Sequence, residues 1–242
     1  MLLFSCRKHQ SFPFSIFRVD RIQKDALSYP AEGIAMLFIG ICGASGSGKT
    51  TLAEELCRSI GDASSYILNQ DAYYIDHSEL PFEQRCKLNY DEPSIFDHEA
   101  LYQDVQALMR GECIQKKDYD FTLHARCDTK QLIHPVDVLI AEGIHAFHDQ
   151  RLCDLMFLKL YIKVEPDICL LRRINRDIIV RKRSIESISA QYLSTVKPMY
   201  DKYIRNYVSS ADIIVARGGK NAKIVEVLAG YLRQALKAES NE

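Results

Sequence analysis

MLFIGICGASGSGKTTLAEEL, residues 36–56, decides the fold. Its opening run MLFIGIC is short, apolar and bounded by glycine, which predicts a strand buried on both faces of a sheet. From Thr50 to Ile60, Leu52, Leu56 and Ile60 recur at spacings that put them on one side of a helix. Between strand and helix, Gly43, Ala44, Ser45, Gly46, Ser47, Gly48, Lys49 and Thr50 match G-x-x-x-x-G-K-[ST] completely, with Thr51 continuing the stretch. In such a loop glycines bring successive backbone N–H groups toward one anion, and the helix N-terminus adds a favourable dipole. Lys49 then supplies a flexible point charge for the terminal phosphates of a nucleotide, and Thr50 a hydroxyl for magnesium. A dinucleotide fingerprint is disfavoured, because Lys49 and Thr50 follow the last glycine where that motif needs close helix packing.

Working outward, further strands are expected to end at Leu68 and to run through 136–141, 157–162 and 211–216. Helices are expected over 97–110, 166–179, 185–207 and 221–237. This alternation predicts an α/β fold with a mostly parallel five-stranded sheet flanked by helices. The segment 111–135 breaks the rhythm and reads as a small β excursion covering the site, while the arginines after 170 read as a basic lid. A length of 242 residues suits one domain, placed at 36–238. The remaining 1–35 is expected to be an N-terminal extension with three open readings: a flexible segment, an upstream start that is not the biological one, or a targeting segment.

Against 31 basic stand 32 acidic residues, so no broad electrostatic attraction to nucleic acid or an anionic membrane is expected. Any phosphate binding must therefore be local. No apolar run approaches the length needed to cross a bilayer. The eight cysteines form no C-x-x-C pair or zinc-ligand spacing and read as free thiols in a reducing compartment, which fits the cytoplasm.

A phosphate loop does not say what accepts the phosphate, since GTPases, ATPases and small-molecule kinases all share it. The chain has no base-reading N-K-x-D and little room for the coupling regions of a motor or transporter. Carboxylates at strand ends are more informative. Asp71 follows the strand YILNQ and would emerge beside the loop, where it can orient a hydroxyl and take its proton. Asp91 lies in NYDEPS. Glu142 ends an otherwise apolar strand and is placed to hold magnesium directly or through water. His145 and His148 follow, but with no third ligand nearby in sequence they make a poor zinc site. Arg172, Arg173 and Arg176 share helix neighbourhoods, with Arg181 and Arg183 just beyond; guanidinium forks there suit a migrating phosphoryl group. Tyr73, Tyr74, Tyr119, Phe121 and His124 are candidates for enclosing a planar base.

The chain resembles the uridine kinase (uridine/cytidine kinase) family of the P-loop NTPase superfamily, especially its bacterial-type members. The resemblance is carried by IGICGASGSGKTT (39–51), NQDAYY (69–74), NYDEPSIFDHEAL (89–101), YDFTLHAR (119–126), EGI (142–144), DICLLRRINRD (167–177), QYLSTVKPMY (191–200) and ADIIVARGGKN (211–221). It implies transfer of the γ-phosphate of ATP or GTP to the 5′-hydroxyl of uridine or cytidine, with Mg2+, in pyrimidine salvage. It implies that Asp71 activates that hydroxyl, with Lys49 and Arg173 sharing the catalysis. Asp91, Arg176 and Gln191 would line the nucleoside site, with Tyr74, Tyr119, Phe121 and His124 around the pyrimidine. Thr50 and Glu142 would hold magnesium, and Arg173, Arg181 and Arg183 would close over the phosphates. Homotetrameric assembly and feedback inhibition by CTP are implied as well.

Four departures from the family pattern stand out, one being that IRNYVSSAD (204–212) is shorter than the usual lead into the last strand. VRKR (180–183) replaces a lid close to N-E-R-G-R, so Lys182 stands where glycine is expected. The approach to Tyr119 reads KKD rather than a proline-containing turn, and GIHAF (143–147) replaces an aliphatic stretch. Altered lid kinetics or acceptor preference is expected from these rather than loss of chemistry. The competing readings are a related P-loop kinase acting on a sugar phosphate or pantothenate, and a non-catalytic nucleotide-sensing protein.

Overall fold

The apolar run that opens the decisive stretch forms β1 (Leu37–Gly43), buried along its whole length, in a computed structural model that describes residues 36–239. The expected extension at 1–35 lies outside the described residues. Along the chain follow α1 (Lys49–Ser59), β2 (Ser65–Asn69), the one-turn α2 (Phe82–Arg85) and α3 (His98–Met109). Next come the two-residue strands β3 (Ile114–Gln115), β4 (Tyr119–Asp120), β5 (Ala125–Arg126) and β6 (Leu132–Ile133). The second half contains β7 (Val138–Gly143), α4 (Gln150–Leu155), β8 (Leu158–Lys163), α5 (Pro166–Ile179), α6 (Ile185–Gln191), α7 (Lys197–Lys202), β9 (Ile213–Ala216) and α8 (Ala222–Glu239).

The expected five-stranded sheet forms, in the order β2-β7-β1-β8-β9 with every pairing parallel. Alternate residues of β1 serve opposite faces, as strand geometry requires. Phe38 and Cys42 pack with Leu101, Val105 and Leu108 of α3, whereas Leu37, Ile39 and Ile41 pack with Leu52 and Leu56 of α1 and Leu228 and Leu232 of α8. The register aligns Glu142 with Ile41 on one side and with Asn69 on the other. The carboxyl ends of β1, β7 and β2 therefore finish together, and the loops leaving them share one crevice.

Two expectations need adjustment. The β excursion is a pair of separate antiparallel ladders, β3 with β6 and β4 with β5. The helix expected over 185–207 is broken: α6 passes into a wide π-helical turn at Tyr192–Val196, then α7, then a 3-10 stretch at Ile204–Ser210. Pro198 gives the reason. Its ring would crowd the carbonyl four residues back and it offers no N–H, so the helix widens before it. The short helix α4 follows no strong apolar period and was not foreseen; Asp149 starts it by accepting from the backbone N–H of Arg151.

Candidate active site

The loop between β1 and α1 is shaped by glycine where the backbone turns left-handed. Gly46 has φ 83 and Gly48 φ 101, and a Cβ on Gly46 would meet the Cys169 carbonyl oxygen at 2.3 Å. Lys49, nearly buried, donates from Nζ to the Ala44 carbonyl at 3.1 Å, which folds the ammonium back over the loop. Ser45, Lys49 and Thr50 face a cavity of about 900 Å³, and Thr51 lies instead beside Gly219. Gly43, Ala44, Gly46, Ser47 and Gly48 build the turn behind those side chains.

At the next strand end Glu142 is 3% exposed, and Thr50 donates its hydroxyl to Glu142 Oε1 at 2.8 Å. Burial raises the carboxyl's pKa above its ordinary range, with Lys49 opposing and Asp71 reinforcing the shift. A hydroxyl and a carboxylate, both hard oxygen donors, suit Mg2+, which keeps several waters and takes its remaining ligands from phosphates. Asp71 sits in the 3-10 turn Gln70–Tyr73, fixed by the Asn69 side chain accepting from the Asp71 N–H at 2.9 Å. It lines the same cavity as Lys49 and Thr50. Asp91 is almost buried; burial raises its pKa and Arg173 opposes, while Thr195 donates to Oδ2 at 3.0 Å.

The basic helix converges on one residue that the sequence did not single out. Asp177 has no exposed surface, and Arg176 Nε donates to its Oδ1 at 2.9 Å. Arg181 stands 3.5 Å from that oxygen, and Arg173 and Arg183 each 3.7 Å from Oδ2. Gln191 joins two of the same arginines, its Oε1 accepting from Arg173 at 2.9 Å and Arg183 at 2.6 Å, while Arg173 also reaches Ser45 Oγ at 2.9 Å. Arg172 turns the other way, to the Ser47 carbonyl, and is absent from the cavity wall. The signal for Asp177 was present as a lone acid within a run of arginines.

Aromatic rings supply a further part of the cavity wall. Tyr74 stacks on Phe96 with centroids 4.5 Å apart and lies 4.9 Å from Tyr119, its hydroxyl donating to the Tyr90 carbonyl. His124, held at φ 47, stacks on Tyr90 at 4.9 Å, and Arg181 lies over Phe121 at 4.4 Å. Burial lowers the His124 pKa, with Arg183, Arg85 and Arg181 adding to the effect, so its neutral ring offers one donor and one acceptor. Tyr73 does not join this wall: it packs in the core and donates to Asp104 at 2.9 Å. Tyr90 and Thr195, which no sequence argument assigned, do line the cavity. The cysteines among the described residues are all free, and burial pushes the Cys42 thiol up to about 12.

Apart from Tyr73, the residues expected on the acceptor side meet the phosphate loop around one cavity: Asp71, Tyr74, Asp91, Tyr119, Phe121, His124, Arg173, Arg176 and Gln191, with Glu142, Arg181 and Arg183 beside them. Residues 38–223 match the Phosphoribulokinase / Uridine kinase family. The chain is 42% identical over 202 residues to a uridine kinase of Geobacillus kaustophilus, covering 84% of this chain and 96% of the relative. It is 41% identical over 212 residues to a uridine kinase of Vibrio cholerae, covering 86% and 100%. Among solved structures, phosphoribulokinase from Rhodobacter spheroides superposes with a TM-score of 0.56 at 14% identity, covering 76% of this chain and 71% of that one, a likeness of fold.

Proposed function

Because the chain belongs to the Phosphoribulokinase / Uridine kinase family, we propose that it transfers the γ-phosphate of ATP or GTP to the 5′-hydroxyl of uridine or cytidine, giving UMP or CMP. One observation carries this reading: Asp71 lines one cavity together with the loop residues Lys49 and Thr50 and the rings of Tyr119, Phe121 and His124. A nucleoside laid against those rings brings its sugar toward Asp71. The stack of His124 on Tyr90 and the tilted pair of Tyr74 and Tyr119 offer flat apolar surface that suits a planar base better than a sugar phosphate.

Asp71 accepts the proton of the acceptor hydroxyl as its oxygen attacks the γ-phosphorus; the bond to the bridging oxygen breaks and the nucleoside diphosphate leaves. The loop amides and Lys49 hold the donor's outer phosphates, and Arg173, Arg181 and Arg183 neutralise charge on the migrating group and exclude water. Thr50 and Glu142 would hold Mg2+, which would supply neutralisation of the donor's phosphate charge. Asp91, Arg176 and Gln191 bind the sugar side of the nucleoside. Feedback inhibition by CTP, homotetrameric assembly and a cytoplasmic location belong to the same proposal. No helix among the described residues is long and apolar enough to cross a membrane.

The test is a phosphate-transfer assay across nucleosides and sugar phosphates with both donors, run on wild type and Asp71→Asn. Uridine or cytidine is expected to be the best acceptor, and the variant to lose about 100-fold or more in turnover while donor binding is preserved. Near-normal turnover in the variant would remove Asp71 from its role, and a phosphorylated sugar as the preferred acceptor would overturn the substrate.

A further inference from the structure

His145 lies three residues beyond Glu142, is 1% exposed, and touches both acidic loops of the acceptor side. Its backbone N–H donates to Gln70 Oε1 at 2.9 Å, in the turn that carries Asp71. Its ring Nε2 stands 2.7 Å from the Asp91 carbonyl oxygen. A carbonyl only accepts, so Nε2 carries the hydrogen. In the neutral ring Nδ1 is then an acceptor, and the Tyr207 hydroxyl, 3.0 Å away, donates to it. With that hydrogen spent, the Tyr207 oxygen accepts from His148 Nδ1 at 3.1 Å. The chain of bonds has a single polarity, from the surface at His148 to the loop of Asp91.

The ring sits among those of Phe96, His148, Tyr203 and Tyr207. Burial drives its pKa down to about 3, with His148, His98 and Lys49 adding to the fall and the Asp91 carbonyl opposing it. Asp91 is held at two further points: its N–H donates to Asn89 Oδ1 at 3.1 Å, and Thr195 reaches Oδ2 at 3.0 Å. Oδ1 takes part in none of these bonds, and Asp91 lines the cavity. The imidazole thus fixes the peptide that aims the carboxylate.

We infer that His145 is a positioning residue for the acceptor, holding Asp91 in place to bind the ribose hydroxyls through its hydrogen bond to the Asp91 carbonyl. This rests on the proposed role of Asp91. Without the Nε2–H a buried carbonyl loses its donor, the 89–92 loop shifts to satisfy it, and the carboxylate moves off the sugar. Glutamine keeps an amide donor at similar reach; leucine keeps only bulk. The inference concerns acceptor binding, so donor parameters are expected to stand.

The experiment is steady-state kinetics of His145→Leu, His145→Gln, Tyr207→Phe and Asp91→Asn with uridine, 2′-deoxyuridine and 3′-deoxyuridine. His145→Leu is expected to raise the KM for uridine about 10-fold with the donor KM within about twofold of wild type. His145→Gln is expected to recover most of that loss, and Tyr207→Phe to show a smaller rise of about threefold. The penalty is expected to shrink for each deoxynucleoside that lacks a hydroxyl Asp91 binds. An equal penalty for all three nucleosides, or no rescue by glutamine, would reduce His145 to packing and overturn the inference. Should the leucine variant fail to fold, Tyr207→Phe carries the same comparison, and an absent or hydroxyl-independent penalty there overturns it. If Asp91→Asn itself leaves the uridine KM unchanged, the reading of Asp91 fails and takes the inference with it. That outcome is distinct from one in which Asp91 matters and His145 does not.

Discussion

Lys182 occupies a backbone conformation that its side chain resists. Its φ is 54, in the left-handed region where a Cβ costs about 1 kcal/mol or more relative to glycine. The strain is sustained by what the turn achieves. Arg181 and Arg183 flank Lys182 and both return to Asp177, and the Arg183 N–H donates to the Asp177 carbonyl at 3.1 Å. Lys182 therefore carries the cost of this turn in one dihedral. Replacing Lys182 with glycine is expected to raise stability by about 1 kcal/mol, because the relieved strain exceeds the added freedom of the unfolded chain. Denaturant unfolding of the ligand-free protein checks this, and an unchanged or lower midpoint would mean the turn is not strained. A freer hinge is also expected to alter turnover, since lid opening limits the rate of many enzymes of this kind.

How far the elements were legible follows from how local their causes are. The strands of the sheet and α5 at Pro166–Ile179 were readable within a residue or two, because an apolar run and a proline at a helix start act on their own neighbours. Asp71 and the aromatic candidates were readable from the residues, whereas Asp91, Arg176 and Gln191 were assigned to the acceptor only through resemblance: nothing in their spacing says that they face one another, and tertiary packing decides it. Asp177 and Thr195 were missed for the same reason, and His145 was weighed only as a zinc ligand. Their partners lie on other elements or depend on a turn that periodicity cannot foresee. The wide turn at Tyr192–Val196 is the clearest case, since it sets where Gln191 and Thr195 point. Pro198→Ala removes the ring that forces the helix open and is expected to let it tighten, rotating Thr195 away from Asp91. The KM for the nucleoside is then expected to rise about tenfold or more, roughly the worth of one hydrogen bond to a charged group. An unchanged KM would mean that the Thr195–Asp91 bond, rather than Pro198, maintains the wide turn.

With a formal net charge of -1, the protein attracts phosphate through a few buried charges rather than through its surface, and those charges work against folding. Glu142 and Asp91 both have pKa values raised by burial. A carboxyl whose folded pKa lies above its unfolded value contributes stability that is complete below the unfolded pKa and is lost as pH rises through the folded one. The ligand-free protein is therefore expected to lose stability from this pair as pH rises from about 4 toward neutrality. Glu142→Gln isolates one member, since the amide oxygen still accepts from Thr50 while the charge is gone. At pH 7 the ligand-free variant is expected to be more stable than wild type, the advantage disappearing below about pH 4. Its turnover is expected to fall by about 100-fold or more, and magnesium with nucleotide to stabilise it less than wild type, because the proposed cation has lost its carboxylate. Thermal unfolding from pH 3 to 8, with and without magnesium and nucleotide, measures all of this together. A variant no more stable than wild type at pH 7 would show that Lys49 and Thr50 already compensate the buried charge; an unchanged response to magnesium and nucleotide would place the cation elsewhere.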